Sequence, residues 1–189
     1  MALLPLEDLG GESAEPIAGL ATKAWYARKS DFETIADTKK MEDKDPLNVA
    51  GNYTELMEIA ETHVFKTTKC FKTIDFIQET GEVKTKGIGP KGGKLFENSI
   101  PIELSGSSAE LLGFMRAIKN EKLIVLVQEV GTGNIRQLGW SKYAAEASDL
   151  EHEIGALLEG KNSAKITFKD KNFGPASIYK GEISVVPAP

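Results

Sequence analysis

The chain has 189 residues, 41% hydrophobic and 27% charged, a composition that supports one folded domain with a sizeable core and excludes a disordered chain. Its 28 acidic and 23 basic residues leave a net charge of −5, which argues against a general nucleic-acid binder held by a phosphate-facing basic surface. One cysteine excludes an intramolecular disulfide and a cysteine-based zinc site, and two histidines leave little for a histidine-rich metal site.

No apolar run approaches the roughly 20 residues of a membrane span. The opening MALLPLED lacks the positive n-region of a signal peptide. A soluble chain, made inside the cell and with no membrane partner, is the expectation.

Residues 1–19 hold Pro5, Pro16 and three glycines among scattered leucines. They read as an arm preceding a single β-rich domain at 20–189. Residues 21–35, with Trp25, Tyr26 and Phe32, read as a strand and its exit. The mixed charges and Pro46 of 37–52 mark an exposed loop.

The run 62–80 is rich in β-formers and free of Gly and Pro, so it predicts one long strand or two abutting ones. Residues 95–104 alternate cleanly, with Phe96, Ile100, Ile102 and Leu104 on one face. Between them, 81–94 carries five glycines, Pro90 and four lysines. Region 81–99 is therefore expected to be a long hairpin loop with a flexible, basic tip.

Ser107 and Glu110 have the spacing of a capping box. Leu111, Leu112, Phe114, Met115 and Ile118 follow at helical spacing, and Asn120 suits a left-handed terminus. The spacing places Leu111, Leu112, Met115 and Ile118 inward and leaves Phe114 at the margin. Residues 123–127 are apolar on both faces, which predicts a covered central strand. Gly131 to Asn134 then turn it into a hairpin with 135–140.

Residues 149–160 fit a helix capped by Ser148, or a strand through Leu150, His152 and Ile154. The C-terminal part reads as a third hairpin, with 163–168 and 179–185 alternating about the Asn172–Pro175 turn.

Chemistry-bearing patterns are sparse. The tip GIGPKGGK, 87–94, is the stretch nearest to a phosphate cradle. It puts Ile88 and Leu95 where a P-loop needs Gly and Ser or Thr, and Pro90 removes an amide donor. A mobile tip or contact loop is the better reading. Cys70 could pair on paper with a histidine, His63 or His152, but it sits among Phe71, Ile74 and Phe76, where an inert buried thiol is usual. Glu151 and Glu153 share a face in strand geometry and read as a solvated acidic surface. No residue argues for an enzyme, a cofactor or a metal. The expectation is a non-enzymatic chain of mainly antiparallel β structure in the α+β class, with sandwich- or barrel-forming sheets flanked by one helix.

Three stretches together resemble the tail-tube (major tail) proteins of tailed bacteriophages, particularly the Bacteroidetes-phage type: AGLATKAWYARKSDFETI at 18–35, LGFMRAIKNEKLIVLVQEVGTGNIRQLG at 112–139, and AKITF at 164–168 with GPASIYKGEI at 174–183. The N-terminal arm and the 37–52 loop depart from that pattern. The resemblance implies a two-sheet sandwich whose inner sheets join, six subunits to a ring, into a barrel around a lumen, with rings stacked into a conduit for genome delivery. It implies a virion tail protein assembled in the host cytoplasm, with copies of itself and other tail proteins as partners and DNA passing without specific binding. The basic tip would be an inter-subunit contact made by Lys84, Lys86, Gly87, Gly89, Lys91, Gly92, Gly93 and Lys94. Other readings are a capsid-decoration or head–tail connector protein, or a cellular ligand-binding β-sandwich.

Overall fold

The computed structural model describes residues 18–156 and 161–187. All but the last two residues of the expected arm lie outside them, as does the end of the 149–160 segment. In chain order the elements are β1 (Leu20–Arg28), β2 (Phe32–Thr34), α1 (Tyr53–Met57), β3 (Glu58–Ile59), β4 (Val64–Phe65), β5 (Lys72–Asp75), β6 (Lys84–Ile88) and β7 (Leu95–Ser105). They continue with α2 (Ala109–Ile118), β8 (Leu123–Glu129), β9 (Ile135–Leu138), β10 (Glu146–Glu153), β11 (Ser163–Asn172) and β12 (Ser177–Tyr179).

The strands form a six-stranded sheet, β3-β12-β9-β8-β1-β5, a four-stranded sheet, β10-β11-β7-β6, and the small pair β2-β4. Apart from the parallel β12-β3 contact, the pairs are antiparallel. The class is thus the expected α+β, mainly antiparallel one, with no closed barrel among the described residues.

Alternation in β8 explains the architecture. Leu123, Val125 and Val127 meet Ile100, Ile102, Ile166 and Phe168 of the four-stranded sheet in one core. Ile124 and Leu126 face the other way, into a second core with Phe32, Phe71 and Tyr179. All five residues from Leu123 to Val127 are buried. An all-apolar strand is what two covered faces require.

Helix α2 flanks the first core, but with a different stripe from the expected one. Leu111, Phe114 and Met115 pack on the core beside the buried Ile118, and Leu112 is 42% exposed. The i, i+3, i+4, i+7 set is a narrower match to helical geometry. Phe114 is drawn inward by an edge-to-face contact with Tyr26, ring centroids 5.4 Å apart. The N-cap is Ser108, whose Oγ accepts from the Leu111 amide, so the Ser107–Glu110 box does not form. Asn120 does not adopt the left-handed conformation; Thr68 and Glu79 are the non-glycine residues with positive φ among those described.

Three further expectations change. The run 62–80 splits at Thr68, whose φ is 67°, and its halves join different sheets: β4 pairs with β2, β5 with β1. Strand β7 takes its hairpin partner from inside the supposed tip, since β6 pairs Lys84 with Ser99 through Ile88 with Leu95. The tip shrinks to 89–94, and 81–99 is sheet edge more than loop. Finally, β11 and β12 form no hairpin. The chain crosses between sheets after Asn172, so β11 lies between β10 and β7 while β12 lies between β9 and β3.

Candidate assembly surface

The four-stranded sheet buries one face and opens the other. On β7 the even-numbered Asn98, Ile100, Ile102 and Leu104 point into the sandwich. The odd-numbered Glu97, Ser99, Pro101 and Glu103 therefore point out, as do Lys165, Lys169 and Lys171 opposite them on β11. The outer face is a cross-strand lattice of opposite charges, the arrangement that stabilises a solvated sheet surface. Lys161 donates to Glu103 and helps hold its carboxyl below the usual range, and Ser148 and Lys169 do the same for Asp149.

This sheet ends in two strands that pair on one side among the described residues, β6 and β10. Every residue of β6 except Ile88 is exposed. Lys84 and Lys86 are on the outer face, level with Ser99 and Glu97. Lys84 is ion-paired to its own Glu82, while Lys86, Lys91 and Lys94 close no ion pair among the described residues. The tip is a tight turn: the Gly93 amide donates to the Pro90 carbonyl at 3.1 Å, and Gly92 takes a φ of 86°. That is the positive φ a type II turn places on its third residue. Gly89 is held by closeness, since a Cβ there would stand 2.5 Å from the Gly93 carbonyl oxygen. A strand–turn–strand of this kind lacks the helix N-terminus of a phosphate cradle. The predicted contact residues Lys84, Lys86 and Gly87 thus fall on the edge strand, and Gly89, Lys91, Gly92, Gly93 and Lys94 in the turn.

At the same end of the sheet, Phe96 pairs with Asn172, so the next residue, Phe173, emerges beside the tip. Phe173 is 71% exposed and packs on Trp140 with ring centroids 5.4 Å apart. Trp140 is fixed by its indole donating to the Lys171 carbonyl. The end surface therefore combines the exposed Phe173, resting on a half-buried Trp140, with lysines that close no ion pair among the described residues.

A buried hydrogen-bonded chain ties this hairpin to the rest of the fold. The Ala36 amide donates to His63 Nδ1 at 3.1 Å, which leaves Nε2 to donate to Gln137 Oε1 at 2.8 Å. Gln137 donates to the Gly139 carbonyl, and the Gly139 amide to Asp170 Oδ2 at 2.7 Å. Asp170 Oδ1 accepts from Asn98 Nδ2, and Asn98 Oδ1 from Thr85 of β6. Gly139 is obligatory in this chain: its φ is 84°, and a Cβ would stand 2.6 Å from the Leu123 carbonyl oxygen.

His63 consequently has no free ring nitrogen to act on Cys70, which is itself buried. Burial pushes the His63 pKa below its ordinary 6.5, so the unfolded chain takes up a proton that the fold refuses. Its contribution to stability is complete above pH 6.5 and is lost as pH falls from there toward the lowered value. Wild type should lose stability between pH 7.5 and 5.5 in urea titrations, and His63→Gln should lose less over the same interval. Equal losses in the two proteins would show that His63 is not the group responsible.

Glu151 and Glu153 lie on β10 and face solvent, across from Lys165 and Ser163. No group of His, Cys, Asp and Glu among the described residues is arranged to hold a metal ion. No helix there is long and apolar enough to cross a membrane.

Compared with known proteins, the chain matches no family model, no curated protein and no solved structure.

Sequence reasoning read Glu151 and Glu153 as an acidic strand face but not as a sheet edge. The signal extends to Asp149, which continues the period of two, and the three lie opposite Thr167, Lys165 and Ser163. The buried chain from Ala36 to Thr85 left no such mark, because its members are far apart in sequence.

Proposed function

We propose that this protein is a structural subunit that assembles with copies of itself into stacked rings, as the tail-tube proteins it resembles do, to form a conduit for genome delivery in a phage tail. The observation that carries this reading is the four-stranded sheet, open at both edges among the described residues. A monomer leaves two rows of unpaired backbone donors and acceptors there, and joining copies satisfies them. Ring closure by one repeated head-to-tail contact is the economical way to do so. The tip end, with Phe173, Lys91 and Lys94 exposed together, suits the axial contact between rings. Other tail proteins would meet the ends of the stack. The mixed-charge outer face fits a wall past which DNA moves without specific binding, since a continuous basic surface would retain phosphate.

The test is assembly of the purified full chain. Sedimentation velocity and negative-stain microscopy at rising concentration should show rings or tubes. A 20.5 kDa monomer under every condition would sink the reading, and binding only to preformed capsid shells would replace it with a decoration role.

A further inference from the structure

The two free edges of the four-stranded sheet carry opposite charge, and we propose that they are the two halves of one interface, β6 of each copy lying beside β10 of the next. The inference rests on the assembly reading above and adds which edges meet, in what direction and why. Strand β6 has Lys84, ion-paired to Glu82 just before the strand, and Lys86, which closes no ion pair among the described residues, and has no acidic residue of its own. Strand β10 has Glu146, Asp149, Glu151 and Glu153 and no Lys or Arg.

Charged residues on an edge ordinarily prevent strand pairing. Here they prevent only like pairings. Two β6 edges repel each other, as do two β10 edges, whereas a β6 edge attracts a β10 edge. A two-fold symmetric dimer through either edge is therefore disfavoured, and a head-to-tail contact remains.

Geometry agrees on three points. First, the lysines and the carboxylates all lie on the outer face of the sheet by register with Ser99, Glu97, Lys169, Thr167 and Lys165. A seam between β6 and β10 therefore puts them on the same side, where cross-strand pairs form. Second, the four strands alternate in direction. Copies related by rotation about an axis along the strands thus place β6 antiparallel to the neighbouring β10, the better-bonded arrangement. Third, Lys84, Ser99, Lys169 and Glu146 stand in one row across the sheet. An unstaggered seam sets Lys84 against the next copy's Glu146, and stagger toward Glu153 keeps a carboxylate in reach all along β10.

The experiment is a charge exchange in the full chain. One variant carries Lys84→Glu and Lys86→Glu; a second carries Glu146→Lys, Glu151→Lys and Glu153→Lys. Circular dichroism first confirms that each is folded. Each alone should sediment as a monomer where wild type assembles. Their equimolar mixture should regain wild-type particles, with the two variants alternating by native mass spectrometry. The milder Lys84→Gln/Lys86→Gln chain, which the fold tolerates even where a reversed edge is not tolerated, should need about tenfold more protein to assemble, the factor expected for roughly 1.4 kcal/mol. Wild type that assembles while the single variants do so equally well, or while the mixture stays monomeric, or while the glutamine chain matches it, overturns this interface and leaves the assembly reading standing. Wild type that never assembles overturns both.

Discussion

Replacing Phe168 by Ala should cost about 3–5 kcal/mol, the range for emptying a phenylalanine site in a core. The ring is fully buried on β11 and packs in the cluster that joins the two sheets. Its backbone is held on both sides, by Ile100 of β7 and Ala147 of β10, so collapse into the space is restricted and the cavity term is retained. A domain of this size has roughly 5–15 kcal/mol in total, so the variant should unfold at far lower urea and populate unfolded chain at 37 °C. A midpoint within error of wild type would mean that the sheets do not face each other through this residue.

The second large effect is at Asp170, which is 2% exposed. Asp170→Ala strands the Gly139 amide and takes one acceptor from Asn98 Nδ2, which retains the Gly174 carbonyl at 3.3 Å. Orphaned buried donors cost about 1–3 kcal/mol each, so a loss of about 2–5 kcal/mol is expected. The pH dependence distinguishes this from simple loss of packing. Burial raises the Asp170 pKa above its ordinary 3.8, against the opposing effect of its hydrogen bonds. The folded protein therefore binds that proton more tightly than the unfolded chain. The group's contribution is complete below pH 3.8 and falls as pH rises through the raised value. The gap between wild type and Asp170→Ala should widen on acidification, opposite in sign to the His63 effect. A gap that narrows would place the burial elsewhere.

What the sequence made legible follows from where the information is local. Strand β8, the core-facing β7 and the helix before β8 are read from side-chain period alone, because burial on one or two faces writes itself into consecutive residues. Partner choice is not local. Nothing between Thr62 and Thr80 announces a break, because Thr68 adopts a conformation usually marked by Gly or Asn. Strand β6 was hidden for the opposite reason: its lysines and Gly87 read as loop, and what keeps it on the sheet is its ladder with β7, reinforced by the bond from Thr85 to Asn98. In β10, the register shift between Ala147 and Asp149 interrupts the alternation, while Leu150 and Ile154 mimic helical spacing. The lysines of the proposed surface were visible as a basic cluster. Of their acidic counterpart, Glu151 and Glu153 were legible as a solvated acidic face; that they line a sheet edge was not, since the place of β10 at the end of the sheet is set by non-local pairing.

On the ribosome, β1 emerges long before either the strand that pairs with Arg28, whose partner is Leu123, or the sheet that covers it. Strand β7 likewise waits for β11, because Glu103 is paired with Lys165. Strand β8, apolar on both faces, leaves the exit tunnel before β11 can shield one of them. Folding therefore waits on the closure of long loops and is slow for the chain's length. In that interval β8 is the segment most exposed to mispairing, since an uncovered apolar strand is the part of a nascent β protein most prone to pair with the wrong chain.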